Sequence, residues 1–373
     1  MGIPYTESGY NMYDILSVVQ KAVRRGNYEL GGWGCNQLKR SFRSVMWNRL
    51  LITTSEDSYG VLTKEIVALR EKDQAFKDDQ NIANAMALLC RAKKSRDACY
   101  FACNFVIDSR KPREIKFTPE QASAYQQRMK AALKGTTEYD SCGFGQGSLF
   151  DEPEEDIDEW TELDEYGLCL QIATEHRDMD MMGWYLDQIR RIDWNYIWEV
   201  YLDYARNHNG GILLDEIAGL RKADAIFNRN KEGLKKNEIF ISKALMIFCY
   251  TADPAFPDPR SNSKIQYDAL IDWSNIKVKP IDQCVLEGGL IPDFVYDCHT
   301  IEGKRRGKTD WDMTRDEQEA LHPLEPDYFS NASWLYTYQQ DRRNGVLPDK
   351  EWFLISEFAK THPVNPVEFI PYE

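Results

Sequence analysis

Asp297-Cys-His-Thr300 places a carboxylate, a thiol and an imidazole in consecutive positions. These are the residue types from which metal sites and nucleophilic dyads are built. Cys298 and His299 are neighbours, so in an extended segment their side chains leave on opposite faces. That speaks against a local Cys–His dyad. Asp297 and His299 would share a face and could hold a metal with distant help, but the chain has only five histidines and no second ligand cluster. A hydrogen-bonded structural histidine is the alternative, and no metal or other cofactor is expected. Two groups of cations could meet phosphate. Lys304, Arg305, Arg306 and Lys308 are flanked by Gly303 and Gly307, whose backbone N–H groups could approach an anion. Arg91, Lys93, Lys94 and Arg96 form the second group. The plainer reading of the first group is a solvated turn, and of the second a solvated helix end. Gly303 to Thr309 is the nearest approach to a GxxxxGK[S/T] nucleotide loop, but it has three residues between its glycines and no buried strand before it. ATP hydrolysis is not expected, and neither is any other catalytic constellation. Gln146-Gly-Ser-Leu-Phe150 has another chemistry. In an extended peptide Leu149 and Phe150 could fill an apolar pocket while Gln146 hydrogen-bonds at its rim. They could also anchor the segment to its own domain.

The elements that must carry these residues are helical and contain an internal repeat. Glu65 to Phe76 (EIVALREKDQAF) matches Glu216 to Phe227 (EIAGLRKADAIF) at Glu65/Glu216, Ile66/Ile217, Leu69/Leu220, Arg70/Arg221, Asp73/Asp224 and Phe76/Phe227. Trp47 and Trp198 precede the two segments by the same 18 residues, and Gly60/Gly211 and Leu62/Leu213 fall into register. Downstream, IANAMALLC (82–90) matches ISKALMIFC (241–249) after an insertion of eight residues. A repeat of this kind points to a duplicated all-α unit. Apolar residues at helical spacing predict helices at Tyr13–Arg24, Trp47–Thr54, Glu65–Phe76, Ile82–Ala92 and Ala98–Ile107. Gly26 serves as a stop and Ser55 as a cap for the following helix. Ile66, Leu69 and Phe76 should be buried, with Arg70 and Asp73 paired on the outer face. Thr118-Pro-Glu-Gln121 is a capping-box start for a helix to about Leu133.

Residues 135–165 contain no Lys or Arg, and Asp151 to Glu165 holds ten carboxylates among fifteen residues. Such self-repelling sequence reads as a flexible linker. The resulting plan is a first helical repeat over 1–133, an acidic linker over 134–165, and a second repeat over 166–258, its helices running from Tyr166 to Thr251. A proline-punctuated tail over 259–373, with short helices at Arg315–Leu321 and Glu351–Lys360, should wrap the helical body.

With 373 residues, 43% of them hydrophobic, the chain can build two or three cored domains. Its net charge of −14 is a poor footprint for non-specific nucleic-acid binding, so any DNA contact should come from a local patch or a protein partner. Nine scattered cysteines without a CxxC pattern read as reduced buried thiols. No signal peptide and no apolar run long enough for a membrane span is seen, which predicts a cytoplasmic protein.

Three stretches resemble one family. Val19-Gln-Lys-Ala-Val-Arg-Arg-Gly-Asn27 is similar to the "hKSVRGSD" segment in the C-terminal region of the RarA/MgsA and WRN-interacting ATPases. Trp47-Asn-Arg-Leu-Leu-Ile-Thr-Thr-Ser-Glu-Asp-Ser-Tyr-Gly60 is similar to their "RRLVRIASEDIG", and Leu88-Leu-Cys-Arg-Ala-Lys-Lys-Ser95 to their "YLAxAPKS". The likeness spans roughly residues 10–105. It implies a clamp-loader-like helical collar that drives oligomer assembly, here without the ATPase and without the family's tyrosine- and glycine-rich ending. Gln146–Phe150 resembles the pentapeptide by which bacterial replication proteins bind the sliding clamp. Together these imply two tandem clamp-loader-collar-like repeats in a non-enzymatic accessory protein of DNA replication or recombination. Such a protein would form a homo-oligomer and dock on replication proteins such as a sliding clamp, and a phage or virus could encode it. Two alternatives stand beside this expectation. One is an enzyme with its site around Asp297–Asp312, which a pocket lined by His299 with converging carboxylates would favour. The other is a DNA-binding module, which a continuous basic surface joining 91–96 to 304–308 would favour.

Overall fold

The computed structural model of the chain describes residues 2–139, 160–252 and 278–321, less residues 60–61, 93, 108, 110, 112–113, 209–212, 230 and 232. Among the described residues the fold is all-α, with two isolated β-bridges and no strand. The first five helices are α1 (Met12–Arg24), α2 (Tyr28–Leu38), α3 (Arg43–Glu56), α4 (Thr63–Phe76) and α5 (Asp79–Arg91). Then come α6 (Asp97–Phe101), continued by a π-helical turn (Ala102–Val106), and α7 (Pro119–Tyr139). A second set of five follows: α8 (Glu162–Glu175), α9 (Met179–Ile192), α10 (Trp194–His208), α11 (Leu214–Phe227) and α12 (Ile239–Ala252). The described part of the C-terminal region holds α13 (Ile301–Arg305) and α14 (Asp310–Leu321).

Local chemistry explains most boundaries. Asn11 caps α1 by accepting from Tyr13 N (2.9 Å), and Ile15, Val18, Val19, Ala22 and Val23 form its buried face. Gly26 then turns left-handed at φ +62°, and Asn27 caps α2. Thr118 and Gln121 make the expected reciprocal cap at α7. Ser55, expected to cap the helix after α3, instead lies within α3, and α4 starts at Leu62 without a side-chain cap. The acidic run ends earlier than its composition implies. Thr161 and Asp164 form a capping box, and Glu162, Asp164 and Glu165 occupy the first turn of α8, where carboxylates favour the positive end of the helix dipole.

The two sets of five helices agree in detail in the register that places Trp47 on Trp198. Gly26 falls on Arg177, and both backbones are left-handed, at φ +62° and +53°. Asn27 falls on Asp178, and each caps the next helix. Trp47 Nε1 donates to Asp73 (2.7 Å) and Trp198 Nε1 to Asp224 (3.2 Å). The pair Arg24–Asp57 (2.6 Å) falls on Glu175–His208 (2.8 Å), with a glutamate where the arginine stands and an imidazole where the aspartate stands.

Other expectations on α4 and α11 fail. Asp73 and Asp224 are buried and receive indole N–H groups, while Arg221 turns to Glu199 (2.9 Å). Asp73 also pairs with Arg43 of α3 (2.7 Å), so the carboxylate faces inward to an indole and a tertiary arginine instead of outward to Arg70. Phe76 is 79% exposed, whereas Phe227 packs edge-on against Phe240.

Both sets share one hydrophobic core. Helix α11 crosses α4 closely enough that a Cβ on Gly219 would come within 2.8 Å of the Lys64 backbone. Glu216 on α11 accepts from the backbone N–H groups of Thr63 (3.0 Å) and Lys64 (3.3 Å), the cap that α4 lacks locally. Lys243 on α12 donates to the Ser58 and Tyr59 carbonyls, and the Tyr250 hydroxyl donates to Asp97. The described C-terminal segment lies on α1 and α2. Ser17 donates to Val295 O (2.7 Å), Lys21 pairs with Asp297 (2.8 Å), and Glu29 holds Lys279 (2.7 Å) and Val285 N (2.8 Å).

Candidate functional site

A cleft of about 530 Å³ opens where the C-terminal segment meets α1, the end of α3 and the start of α6. Its floor is a charge network around Asp57, a fully buried residue just past α3. Asp57 accepts from Gln20 (2.9 Å), Arg24 (2.6 Å) and Arg96 (3.2 Å), and its carbonyl accepts from Ser95 N (3.2 Å). Glu317 on α14 reaches Arg24 (2.9 Å) and Arg96 (3.1 Å), while Glu56 takes Arg96 at 3.0 Å. Burial pushes the Asp57 carboxyl up, but the two guanidiniums outweigh it and hold the group below the usual carboxylate range. Arg96 is raised despite its burial because Cys99 and three carboxylates surround it.

His299 lines this cleft together with Asp297, Glu56 and Glu317, the combination that would favour an enzyme. Each of those carboxylates, however, is engaged by a cation of its own chain: Asp297 by Lys21, Glu56 by Arg96, Glu317 by Arg24 and Arg96. These carboxylates are oriented toward their partners, and although burial pushes the Asp297 carboxyl up, the Lys21 ammonium helps hold it below the usual carboxylate range.

The premise that separated Cys298 from His299 does not hold. Residues 298–299 are a turn, not an extended strand. Asp297 Oδ1 accepts from His299 N (2.9 Å) and Thr300 N (3.2 Å), folding the chain back. Thr300 then caps α13 at Gly303 N (3.0 Å). Cys298 Sγ, a His299 ring nitrogen and an Asp310 carboxylate oxygen consequently lie within 4.8 Å of one another.

The two basic groups fare differently. Lys94 is buried, and its ammonium hydrogen-bonds the Leu89 (2.6 Å), Cys90 (3.2 Å) and Ala92 (2.5 Å) carbonyls at the end of α5; burial lowers its pKa to about 8. Arg96 is locked in the Asp57 network. Arg91 is exposed and Lys93 lies outside the described residues. The reading of Lys94 and Arg96 as phosphate contacts is therefore corrected: orphan helix carbonyls and buried carboxylates claim those cations first. Arg306 pairs with Asp293 (2.6 Å) and Glu302 (2.9 Å) over the Tyr296 ring, and Lys308 pairs with Asp293 (2.9 Å). Lys304, Arg305 and Arg306 are exposed, and Arg305 also lies near Glu302 (3.8 Å). Gln146, Leu149 and Phe150 lie outside the described residues.

Neither a protein-family model, nor a curated protein, nor a solved structure matches this chain. No described helix is long and apolar enough to cross a membrane.

Proposed function

We propose that the chain is a duplicated, collar-like helical scaffold that docks on proteins of DNA replication or recombination without catalysing a reaction of its own. The observation that carries this reading is the convergence on Asp57. The three stretches that resemble the clamp-loader-like family are separated in sequence. Yet Gln20 and Arg24 of the first, Asp57 and Ser58 of the second, and Lys94 and Ser95 of the third meet around one buried carboxylate and the Ser58–Lys94 bridge. Their convergence supports reading the three stretches as parts of one unit. The hydrogen-bonded pairs Arg24–Asp57 and Glu175–His208, at the same two positions of the register, support the duplication.

In this reading the chain pairs with a second copy, so that two chains present four collar units in closed symmetry. The linker peptide Gln146–Phe150 engages a sliding clamp. The test is affinity capture on the full chain from its native host, with the proteins retained identified by mass spectrometry, alongside light scattering at micromolar concentration. Enrichment of clamp, polymerase or recombination proteins, together with a dimer mass, supports the proposal. Retention of none of them overturns the docking role, and a monomer mass overturns the assembly. An enzymatic reading is favoured by the His299-lined cleft alone. It would need a charge in the network to be released from its pair.

A further inference from the structure

We propose that Cys298, His299 and Asp310 bind a single divalent cation of the zinc type. The three residues offer one sulfur, one nitrogen and one oxygen, and those atoms lie within 4.8 Å of one another. Two of them already touch: the Cys298 thiol donates to Asp310 Oδ1 at 3.1 Å. Ligands on one tetrahedral zinc, with bonds of about 2.0 to 2.3 Å, sit roughly 3.5 Å apart. The sulfur–oxygen pair therefore opens by a few tenths of an ångström and the imidazole closes by at most about 1.3 Å, within the reach of a side-chain torsion on an exposed histidine.

The fold delivers these atoms from two independent elements. The turn after Asp297 presents Cys298 and His299. Asp310 is the first residue of α14, and its helix start is capped by Thr309 and Asp312 through a reciprocal pair (Thr309 N to Asp312 Oδ2 2.7 Å, Asp312 N to Thr309 Oγ1 3.4 Å). The cap role is thus filled without Asp310. Between the two elements Gly303 lies so close to the Asp297 carbonyl that a Cβ would come within 1.9 Å of it. This close packing fixes the 297–303 turn against α13 and so fixes where the thiol and imidazole stand.

The donor set selects the ion. Magnesium and calcium favour all-oxygen shells, and copper(I) favours sulfur. A mixed thiolate, imidazole and carboxylate set suits zinc or its surrogate cobalt(II). On binding, the metal replaces the proton shared between Cys298 and Asp310, and that proton passes to solvent. Three protein ligands leave a fourth position, which water fills. The ion would clasp the 298–299 turn to α14 and thereby hold the helix that carries Glu317 over the Asp57 network.

The test is titration of the purified full chain with cobalt(II). One equivalent should produce a thiolate-to-cobalt charge-transfer band in the near ultraviolet and intense visible d–d bands of tetrahedral coordination. Cys298→Ser should remove the charge-transfer band. His299→Ala, at an exposed position that does not carry the fold, should weaken binding by about tenfold or more, as should Asp310→Asn. Zinc should displace the cobalt. Absence of the band in the unmodified chain overturns the proposal. So does a band of undiminished intensity and affinity in Cys298→Ser or in His299→Ala.

Discussion

Glu65 and Glu216 occupy matching positions in the two repeat segments, yet replacing each by glutamine should have opposite effects. Glu216 is satisfied by two backbone N–H groups at the start of α4. Glu65 is fully buried, and among the described residues no side chain donates to either of its oxygens; its own backbone N–H and the Lys64 ammonium, 4.0 Å away, favour the charge weakly, and Asp215 adds a like charge. Burial, and then the Glu216 charge, push its pKa up to about 8. Burial also raises Glu216, against the pull of its backbone donors and Lys243. An acid whose folded value lies above its unfolded value of about 4.3 binds its proton more tightly in the folded state. Its contribution is therefore fully present below about pH 4.3. It declines by about 1.4 kcal/mol per pH unit and is lost once the pH passes the folded value. The whole span sets a ceiling of about 5 kcal/mol; movement of Lys64 toward the ionised group relieves part of it, leaving about 2–3 kcal/mol. Glu65→Gln keeps the shape and removes the charge. In urea unfolding followed by circular dichroism, the variant should match the parent near pH 4 and exceed it by about 2–3 kcal/mol near pH 9. Glu216→Gln should be destabilised near pH 7 by about 1.5–3 kcal/mol, because two backbone donors lose a charged acceptor. A Glu65→Gln difference that does not change with pH would refute the reasoning.

Three further outcomes follow from other sites. Asp57→Ala leaves Arg24 and Arg96 buried without their shared carboxylate and should cost about 3–5 kcal/mol in urea unfolding; a loss below about 1 kcal/mol would mean that Glu56 and Glu317 suffice for both guanidiniums. Trp47→Phe and Trp198→Phe each remove an indole donor from a buried aspartate. Asp73 keeps Arg43 and Asp224 keeps Trp194, so each substitution should lower stability by only about 0.5–1.5 kcal/mol, and no loss in either variant would contradict the pairing. Replacing Leu149 and Phe150 by alanine should weaken binding to a purified sliding clamp roughly 30-fold to a thousandfold, from about 2–4 kcal/mol of lost anchor contacts, with an unchanged melting temperature. A large fall in melting temperature would place both side chains on the protein's own core instead.

Much of the helical layout was legible because its signals are local. The apolar spacing of Ile15 to Val23, the stop at Gly26 and the Thr118–Gln121 cap each depend on residues within a turn or two of one another. The errors share a different cause. Phe76 and Phe227 have the same neighbours in sequence, and only the presence of Phe240 beside one of them decides which is covered. Lys94 and Arg96 read as surface cations because sequence does not show that α5 ends on three unfilled carbonyls or that Asp57 lies beneath Arg96. Glu162 to Glu165 read as linker because composition counts charge and ignores the helix dipole that welcomes it.

By itself the sequence determined the all-α class, since helical periodicity is carried by short stretches of chain. Tertiary structure alone decided what the charged and metal-ligating residues are for. Arg24, Asp57, Arg96 and Glu317 come from four distant stretches, and Cys298 meets Asp310 only because a turn and a helix start are folded against each other. A buried charge takes its meaning from the partner that compensates its lost hydration, and that partner is chosen by the packing of helices far apart in the chain.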